Sequence, residues 1–295
     1  MSSFCTPEEV MELNMHSSQK KVNRSLGKMI LLGIMAGMFI ALGGAASNTA
    51  VYGIENTGLA RAVAGLIFPA GLIMTVFLGG ELFTGNCLIA MSVCAKRVTF
   101  GKMMRNLAVV YFSNLIGALL VDVLVFYSGN LGYSDGLLGA YTIKVAVGKT
   151  AIEPLTGVIS GMLCNILVCV AILMATAAKD AIGKIGAIFV PIAAFVTCGF
   201  EHCVANMYYI PLGILATKNV QYVEKAKEVY GITKAQLDQL TVTGSLGNLI
   251  PVTIGNIIGG MLVVGGIFFF SYKSEAGRKP EETTVIKQRC EKQAG

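Results

Sequence analysis

The sequence predicts an all-α membrane protein with six transmembrane helices, built as two inverted three-helix repeats whose second and fifth helices are broken. Three observations predict this fold: a shortage of charged residues, six long apolar stretches, and an internal repeat. Charged residues make up 14% of the 295 residues and hydrophobic residues 54%, whereas soluble domains carry about 25% charged residues. The composition therefore indicates a membrane protein.

Six stretches are long enough to cross a bilayer, which takes about 20 apolar residues. They cover residues 29–49, 59–94, 107–127, 155–177, 185–216 and 246–272. The second and fifth are too long for one straight crossing and carry Gly, Glu and Asn midway, so each is predicted to be a broken helix. Residues 29–272 are thus predicted to form the six-span domain, between an N-terminal segment (1–28) and a C-terminal tail (273–295).

The distribution of basic residues predicts the orientation. Sixteen of the 23 Lys and Arg lie in the N-terminal segment, the second-to-third loop, the fourth-to-fifth loop and the C-terminal tail, which share one side. The positive-inside rule places both termini in the cytoplasm, with the chain in the plasma (inner) membrane. The net charge of +6 follows from this topology, so no nucleic-acid partner is expected. The polar start does not resemble a cleaved signal, so the first helix is expected to be retained.

The cysteines and glycines do not indicate a metal or cofactor site. The eight cysteines form no CxxC pair and are predicted to be small buried side chains in a reducing compartment. Zinc binding by His202 with Cys198 or Cys203 is not favoured, because neighbouring ligands seldom converge on one ion. The glycines fit close helix packing rather than phosphate binding. No metal and no cofactor are expected.

An internal repeat relates the two halves of the chain. Residues 106–120 ("NLAVVYFSNLIGALL") align with residues 248–262 ("NLIPVTIGNIIGGML") without a gap, and the matches include two Asn pairs and a Gly pair. Residues 79–86 ("GGELFTGN") align with residues 199–206 ("GFEHCVAN") as G-x-E-x-x-x-x-N. Three spans per repeat force the two halves into opposite orientations, and paired broken helices are typical of channels and transporters. Irregular backbone at membrane depth must be buried or line a cavity.

The same motifs resemble a known family. "GFEHCVANMYYIP", "GGELFTGN" and "NLIPVTIGNIIGGML" are closely similar to sequences of the formate/nitrite transporter family, and the resemblance covers residues 25 to 272. It implies an aquaporin-like fold, a homopentamer with one pore in each protomer, and passage of small monovalent anions. Formate is the first choice, with nitrite or hydrosulfide as alternatives of the same family.

The resemblance also implies roles for individual residues. His202 matches the family's central pore histidine, Asn165 and Thr84 match its hydrogen-bonding partners, and Lys149 matches a vestibule lysine that draws anions inward. Five apolar residues match the constrictions of the pore: Leu72 and Phe195 toward the outside, Phe68 near the inner constriction, and Leu82 and Phe83 in the cytoplasmic loop of the first break.

The polar residues of the two breaks are predicted to be structural. A carboxylate that faced an anion path would repel the substrate, so Glu81 and Glu201 are predicted to accept hydrogen bonds from backbone N–H groups freed at the breaks. Asn86 and Asn206 are predicted to do the same with their amides. Asp122 has no counterpart in the sixth span and is expected near the outer interface or a contact between protomers.

These roles predict a mechanism. A bare anion crosses an apolar ring only at a cost of many kcal/mol, so we expect His202 to protonate the anion, which then passes as a neutral acid. In a rival version, the positive vestibule raises the anion's effective pKa and bulk water supplies the proton, while His202 tunes selectivity. The expected partners are therefore small monovalent anions, protons, membrane lipid and further copies of this chain.

Two other classes of function remain open at this point. A neutral-solute channel would suit two asparagines at helix breaks, although the aquaporin N-P-A motif is absent. An intramembrane enzyme could use His202, Glu201 and Cys203, but adjacent residues on a helix point about 100° apart. Convergence of the three is not expected, and the chain is predicted not to be an enzyme.

Overall fold

The computed structural model describes residues 4–273, in which the regular elements are helices apart from an isolated bridge between Phe4 and Ala178. Residues 1–3 and the predicted C-terminal tail beyond residue 273 lie outside the described residues. The first half contains α1 (Pro7–Val22), α2 (Leu26–Val51), α3 (Thr57–Ile67), α4 (Pro69–Phe77), α5 (Phe83–Asn86), α6 (Ile89–Cys94) and α7 (Phe100–Tyr127). The second half contains α8 (Tyr133–Thr150), α9 (Pro154–Ala177), α10 (Ala181–Cys198), α11 (Cys203–Ala216), α12 (Val220–Tyr230), α13 (Lys234–Asp238), α14 (Val242–Ile257), a π-helical segment (Ile258–Gly266) and α15 (Ile267–Tyr272).

The predicted membrane spans are present in the structure. Within the described residues, six helical stretches are long and apolar enough to cross a bilayer. They are α2, α3 with α4, α7, α9, α10, and α14 through α15. The shorter apolar helices, which run over Phe83–Cys94 and Cys203–Ala216, complete the second and fifth spans after their breaks. The prediction of an all-α fold with broken second and fifth spans is confirmed.

Both breaks begin with a left-handed glycine. Gly79 has φ of 70° and Gly199 has φ of 74°, and these two glycines are equivalent in the repeat, 120 residues apart. A side chain is disfavoured in this region of φ, so glycine lets the chain leave the helix there. The two breaks are therefore equivalent in backbone conformation as well as in sequence.

The repeats pack through matching close helix contacts. A β-carbon at Gly117 would overlap the carbonyl oxygen of Ile34, and one at Gly259 would overlap the carbonyl oxygen of Met162. The two glycines are 142 residues apart and their partners are 128 apart, so α7 lies on α2 as the sixth span lies on α9. Small residues at such crossings allow helix backbones to approach closely in membranes.

The two halves meet at equivalent residues. The hydroxyl groups of Tyr111 and Thr253 lie 3.1 Å apart, and these residues are themselves 142 apart in the chain. A contact between repeat-equivalent residues lies where the pseudo-two-fold axis passes. The axis therefore runs between α7 and α14, at the depth of the breaks.

The membrane domain has two distinct faces. One, called here the α1 face, is covered by α1, which packs against α6 and α9 and forms an ion pair between Glu12 and Arg97 at 2.6 Å. The opposite α8 face carries α8 and α12, which pack against each other. The helix α7 links the two faces, because it follows α6 and precedes α8.

The sixth span is not a uniform α-helix. Residues Ile258–Gly266 are π-helical, and this segment contains Gly260. A β-carbon at Gly260 would overlap the Asn165 amide nitrogen and the Cys87 β-carbon. The wider turn therefore lies where the span packs closest to the polar centre of the protein.

Candidate functional site

His202 stands at the start of α11, at the end of the second break. Its side chain is 3% exposed, and its Nδ1 accepts a hydrogen bond from the Ala205 backbone N–H at 3.1 Å. Nε2 lies 2.9 Å from the Thr84 hydroxyl oxygen. Because Nδ1 is an acceptor, a neutral imidazole carries its proton on Nε2 and donates it to Thr84. The contact links the two breaks directly, since Thr84 belongs to α5.

Asn165 lies one step further from the imidazole. Its amide Nδ2 donates to the backbone carbonyl of Asn256 at 2.6 Å and to that of Thr84 at 3.3 Å. The expectation that Asn165 hydrogen-bonds the histidine itself differs from the structure, because both ring nitrogens have other partners. Asn165 instead holds the backbone of the residue that faces the ring.

Aromatic residues pack beside His202. The Phe195 ring centroid lies 6.0 Å from that of His202 and 5.8 Å from that of Phe68, with an edge-on Phe68 contact. Phe68 is therefore grouped with Phe195, and not with an inner constriction as expected. Leu72 is buried one turn further along the same helical stretch.

The loop residues of the first break are also buried. Leu82 and Phe83 are each 4% exposed, and the Phe83 ring packs edge-on against Tyr111 with centroids 4.9 Å apart. His202 is the repeat equivalent of Leu82, 120 residues apart. One break thus ends in an apolar side chain and the other in an imidazole.

Two equivalent asparagines hold the irregular backbone of the breaks. Asn114 accepts from the Phe83 N–H at 2.9 Å and donates to the carbonyls of Gly33 and Glu81 at 2.8 and 2.9 Å. Asn256 does the same in the second repeat, with the Cys203 N–H at 3.0 Å and the carbonyls of Gly161 and Glu201 at 2.7 and 3.0 Å. Each buried amide thus satisfies three backbone groups at membrane depth.

The carboxylates of the breaks have partners other than those predicted. Glu201 accepts from Lys149 Nζ at 2.5 Å and from the Asn206 amide at 2.7 Å. Glu81 forms an ion pair with Arg24 and accepts from the Asn86 amide at 2.5 Å. The freed backbone groups are bound by Asn114 and Asn256 instead, so the prediction of backbone N–H donors to the glutamates is wrong. A buried carboxylate is stable here because it is paired with a cation and hydrogen-bonded.

Lys21 is the repeat equivalent of Lys149, although no local sequence pattern marks it. The Asn106 amide donates to the Lys21 carbonyl at 3.5 Å, as the Asn248 amide donates to the Lys149 carbonyl at 2.9 Å. Lys21 lies 128 residues before Lys149, the same offset that relates Gly33 to Gly161. Residues 21–51 and 149–179 share only two other identities at this offset, Gly33/Gly161 and Ala50/Ala178, so the sequence alone carries little signal of this equivalence.

Lys21 lies beside a cavity on the α1 face that has both polar and apolar walls. Lys21 Nζ donates to Asn86 Oδ1 at 2.6 Å and lies 3.9 Å from Glu81. Burial, together with the nearby charge of Arg24, lowers the pKa of Lys21 to about 8. This cavity has a volume of about 340 Å³ and is lined by polar residues such as Asn14 and Lys184 and by apolar residues such as Leu88 and Ile172.

The chain as a whole matches known proteins. The family model described as formate/nitrite transporter matches residues 8–270. The chain is 35% identical over 293 residues to a probable formate transporter of Methanothermobacter thermautotrophicus, covering 93% of this chain and 99% of that protein. It is 36% identical to the formate channel FocA of Escherichia coli strain K12, covering 84% and 87%. Among solved structures, a pentameric formate channel with formate bound matches with a TM-score of 0.73 and 32% identity, over 84% of this chain and 97% of that one.

Proposed function

Because this chain is a multi-pass membrane protein that belongs to the formate/nitrite transporter family, we propose that it is a formate channel. It assembles as a homopentamer with one pore in each protomer, and both termini face the cytoplasm. The names of its relatives support formate as substrate, and a pentameric solved relative supports the assembly. The basic residues of the α1 face support the orientation.

One observation carries the proposal: a buried imidazole joins the two breaks. His202 is hydrogen-bonded to Thr84 across the repeat and packs beside the Phe195 ring. An ionisable side chain at membrane depth is a functional candidate by default. His202 also differs in chemistry from its repeat equivalent, Leu82, so the two breaks are not identical at this position. A polar donor between apolar rings is what a weak-acid anion needs at the centre of an apolar passage.

The passage is proposed to carry formate in its neutral form. On the α1 face Lys21 and Arg24 share the single carboxylate of Glu81, so this mouth is positive and concentrates the anion. On the α8 face Lys149 is held in an ion pair with Glu201. Between the two faces, apolar side chains such as Leu72 and Phe195 exclude water, which makes the bare anion too costly to transfer. Formate therefore takes up a proton near His202, crosses as formic acid and ionises again on leaving.

The hydrogen bonds of His202 constrain the source of that proton. A neutral ring with its proton on Nε2 hydrogen-bonds an anion well but does not give the proton away, because an imidazolate would result. An imidazolium could give it, yet its second proton would sit on Nδ1, which accepts from Ala205. Proton transfer from His202 therefore requires the start of α11 to open, whereas supply from bulk water does not.

Flux through reconstituted protein tests the proposed function. Proteoliposomes are loaded with the full chain, and uptake of formate, nitrite and hydrosulfide is compared at two pH values. Formate uptake that exceeds that of empty liposomes and rises at the lower pH is expected. Faster uptake of nitrite or hydrosulfide than of formate would reassign the substrate within the family. Osmotic swelling with water or glycerol but no anion flux would overturn the proposal in favour of a neutral-solute channel.

A further inference from the structure

One face of the second span leads from the α8 face to the aromatic pair. Arg61, Gly65, Phe68 and Leu72 follow one another at helical spacings of four, three and four residues, which places them on one side of the helix. Gly65 approaches the carbonyl of Ala193 on α10, and Phe68 contacts Phe195 on the same helix. This side of α3 and α4 therefore faces α10.

Arg61 stands at the outer end of this face. It lies seven residues before Phe68, which corresponds to about 10 Å along a helix. The turn before α3 lies on the α8 face, because the Tyr52 hydroxyl is 2.7 Å from the Ser134 hydroxyl of α8. The guanidinium therefore lies between that face and the Phe68–Phe195 pair. Its Nη1 donates to the Thr197 carbonyl at 3.4 Å and lies against Gly199, where the second break begins.

The opposite wall of this mouth is aromatic. Burial raises the pKa of Tyr141 on α8, and the positive charge of Arg61 opposes this increase. Tyr141 packs edge-on against Tyr230, and Lys144 lies over both rings, 4.6 Å from the Tyr230 centroid. Lys144 is thus held over the ring faces and keeps its positive charge, because the rings are neutral.

The charge balance of the mouth distinguishes Arg61 from Lys149. Lys149 forms a 2.5 Å ion pair with Glu201, so an incoming anion meets a neutral pair there. Among the described residues, no carboxylate lies within ion-pair distance of Arg61. The single hydrogen bond to the Thr197 carbonyl is long, which leaves most of the five guanidinium donors free. Arg61 and Lys144 are therefore the cations of this mouth without a carboxylate partner among the described residues, and Arg61 is the one that lies against the second break.

The α1-face mouth also has more positive than negative charge, but this charge comes from other residues. There Arg24 and Lys21 both lie beside the single carboxylate of Glu81. The repeat equivalent of Arg61 is Ala181, 120 residues later, so no cation stands at this position on that side. Removal of the Arg61 charge should therefore affect only anions that arrive from the α8 face.

We propose that Arg61 is the residue that captures the anion at the α8-face mouth, where its guanidinium binds the carboxylate of formate before the anion reaches Phe68 and Phe195. This inference rests on the proposed function. A guanidinium suits this task because it offers two parallel N–H donors to a carboxylate and is always charged. Lys149 is then a positioning residue that holds Glu201 and, through it, the break that carries His202.

Kinetics of oriented proteoliposomes test this inference. Initial formate uptake from the α8 face is compared for the natural protein, Arg61→Gln, Arg61→Lys and Lys234→Gln. Lys234 is an exposed cation on α13, so Lys234→Gln loses one positive charge, as Arg61→Gln does, and serves as the control. Arg61→Gln is expected to raise KM about tenfold, the effect of one lost charge-assisted hydrogen bond, with an unchanged rate at saturating formate. Arg61→Lys restores part of the affinity, Lys234→Gln changes nothing, and high salt reduces the difference between natural protein and Arg61→Gln.

The outcomes separate this inference from the function on which it rests. A natural protein that moves no formate overturns the proposed function. A natural protein that moves formate, with an Arg61→Gln variant of unchanged KM and salt dependence, overturns the role of Arg61 alone. A lower maximal rate with unchanged KM also overturns it, since a capture residue acts on binding. Equal effects on uptake from both faces contradict the assignment to one mouth.

Discussion

His202 has two tasks that compete for one nitrogen. Nδ1 caps α11 by accepting from the Ala205 N–H, and the same atom must be protonated before the ring can give a proton to an anion. Full protonation therefore costs the cap, an interaction worth about 1 kcal/mol. A relay through His202 has to include this local opening, whereas proton supply by bulk water leaves the cap in place.

Two replacements of His202 separate these tasks. Asparagine is among the best N-cap residues, so His202→Asn is expected to keep the cap and most of the thermal stability of the natural protein. His202→Phe removes the cap and is expected to lose about 1–2 kcal/mol, measured by thermal unfolding in detergent. If His202 relays the proton, both variants lose proton-coupled formate uptake in vesicles. Unchanged uptake by His202→Asn would reject the relay and leave bulk water as the proton source.

Individual residues could be predicted only where the sequence marks them. Glu201 and His202 stand out as ionisable residues in an apolar segment, and their pairing with Glu81 and Leu82 follows from the repeat. Lys21 and Arg24 lie in a polar segment with other basic residues, so nothing in the local sequence distinguishes them. Their contacts with Glu81 and Asn86 depend on how α1 folds back over the first break.

The broken helices are stable because each repeat carries its own amide clamp. Asn114 and Asn256 each satisfy three backbone groups of a break, groups that would otherwise be unpaired where no water is present. The repeat in the sequence shows that these two residues are identical, but it does not show that they bind the backbone of the breaks. The glutamates, which had been expected to satisfy the backbone, are free to pair with cations of the two faces.

Glycines of the sixth span offer a matched test of the helix contacts. Gly259 faces the Met162 carbonyl so closely that a β-carbon would overlap it, whereas nothing lies within 4 Å of a β-carbon at Gly247. Gly259→Ala is expected to destabilise the protein by about 1–3 kcal/mol through overpacking, and Gly247→Ala to stabilise it by about 0.5–1 kcal/mol through helix propensity. Thermal unfolding of both variants in detergent checks this. Equal stability of the two would contradict the close contact between α9 and the sixth span.

The lengths of the elements were predictable, but their local irregularities were not. Long apolar stretches with central Gly, Glu and Asn predicted where the second and fifth spans break. The π-helical turn over Ile258–Gly266 leaves no comparable mark, because it accompanies packing between Gly260 and the distant residues Asn165 and Cys87. A break within a helix leaves a local sequence pattern, whereas a contact between distant elements does not.

Across the whole molecule, the pseudo-two-fold relation determines which residues of the two repeats are equivalent. A few residues that differ between the repeats make the charges of the two mouths different. Lys21 and Lys149 are equivalent, and so are Glu81 and Glu201. In the first repeat Glu81 pairs with Arg24 as well as Lys21, while in the second Glu201 pairs with Lys149. The two mouths thus reach a positive surplus through different residues, so substitutions on one face should change flux from that face first.

The pair of Lys149 and Glu201 provides the test of this charge arrangement. Lys149→Gln leaves a carboxylate unpaired at the α8-face mouth, where it repels anions, so formate uptake is expected to fall about tenfold or more, as for loss of a charged partner. The double variant Lys149→Gln with Glu201→Gln removes both charges and keeps Arg61. Its uptake should recover to within a few-fold of the natural protein, because the net charge of the mouth is restored. Such recovery is a coupling between the two sites that a double-mutant cycle measures. If instead the double variant transports as poorly as Lys149→Gln, then Lys149 itself binds the anion, and Arg61 does not supply the charge that draws formate in.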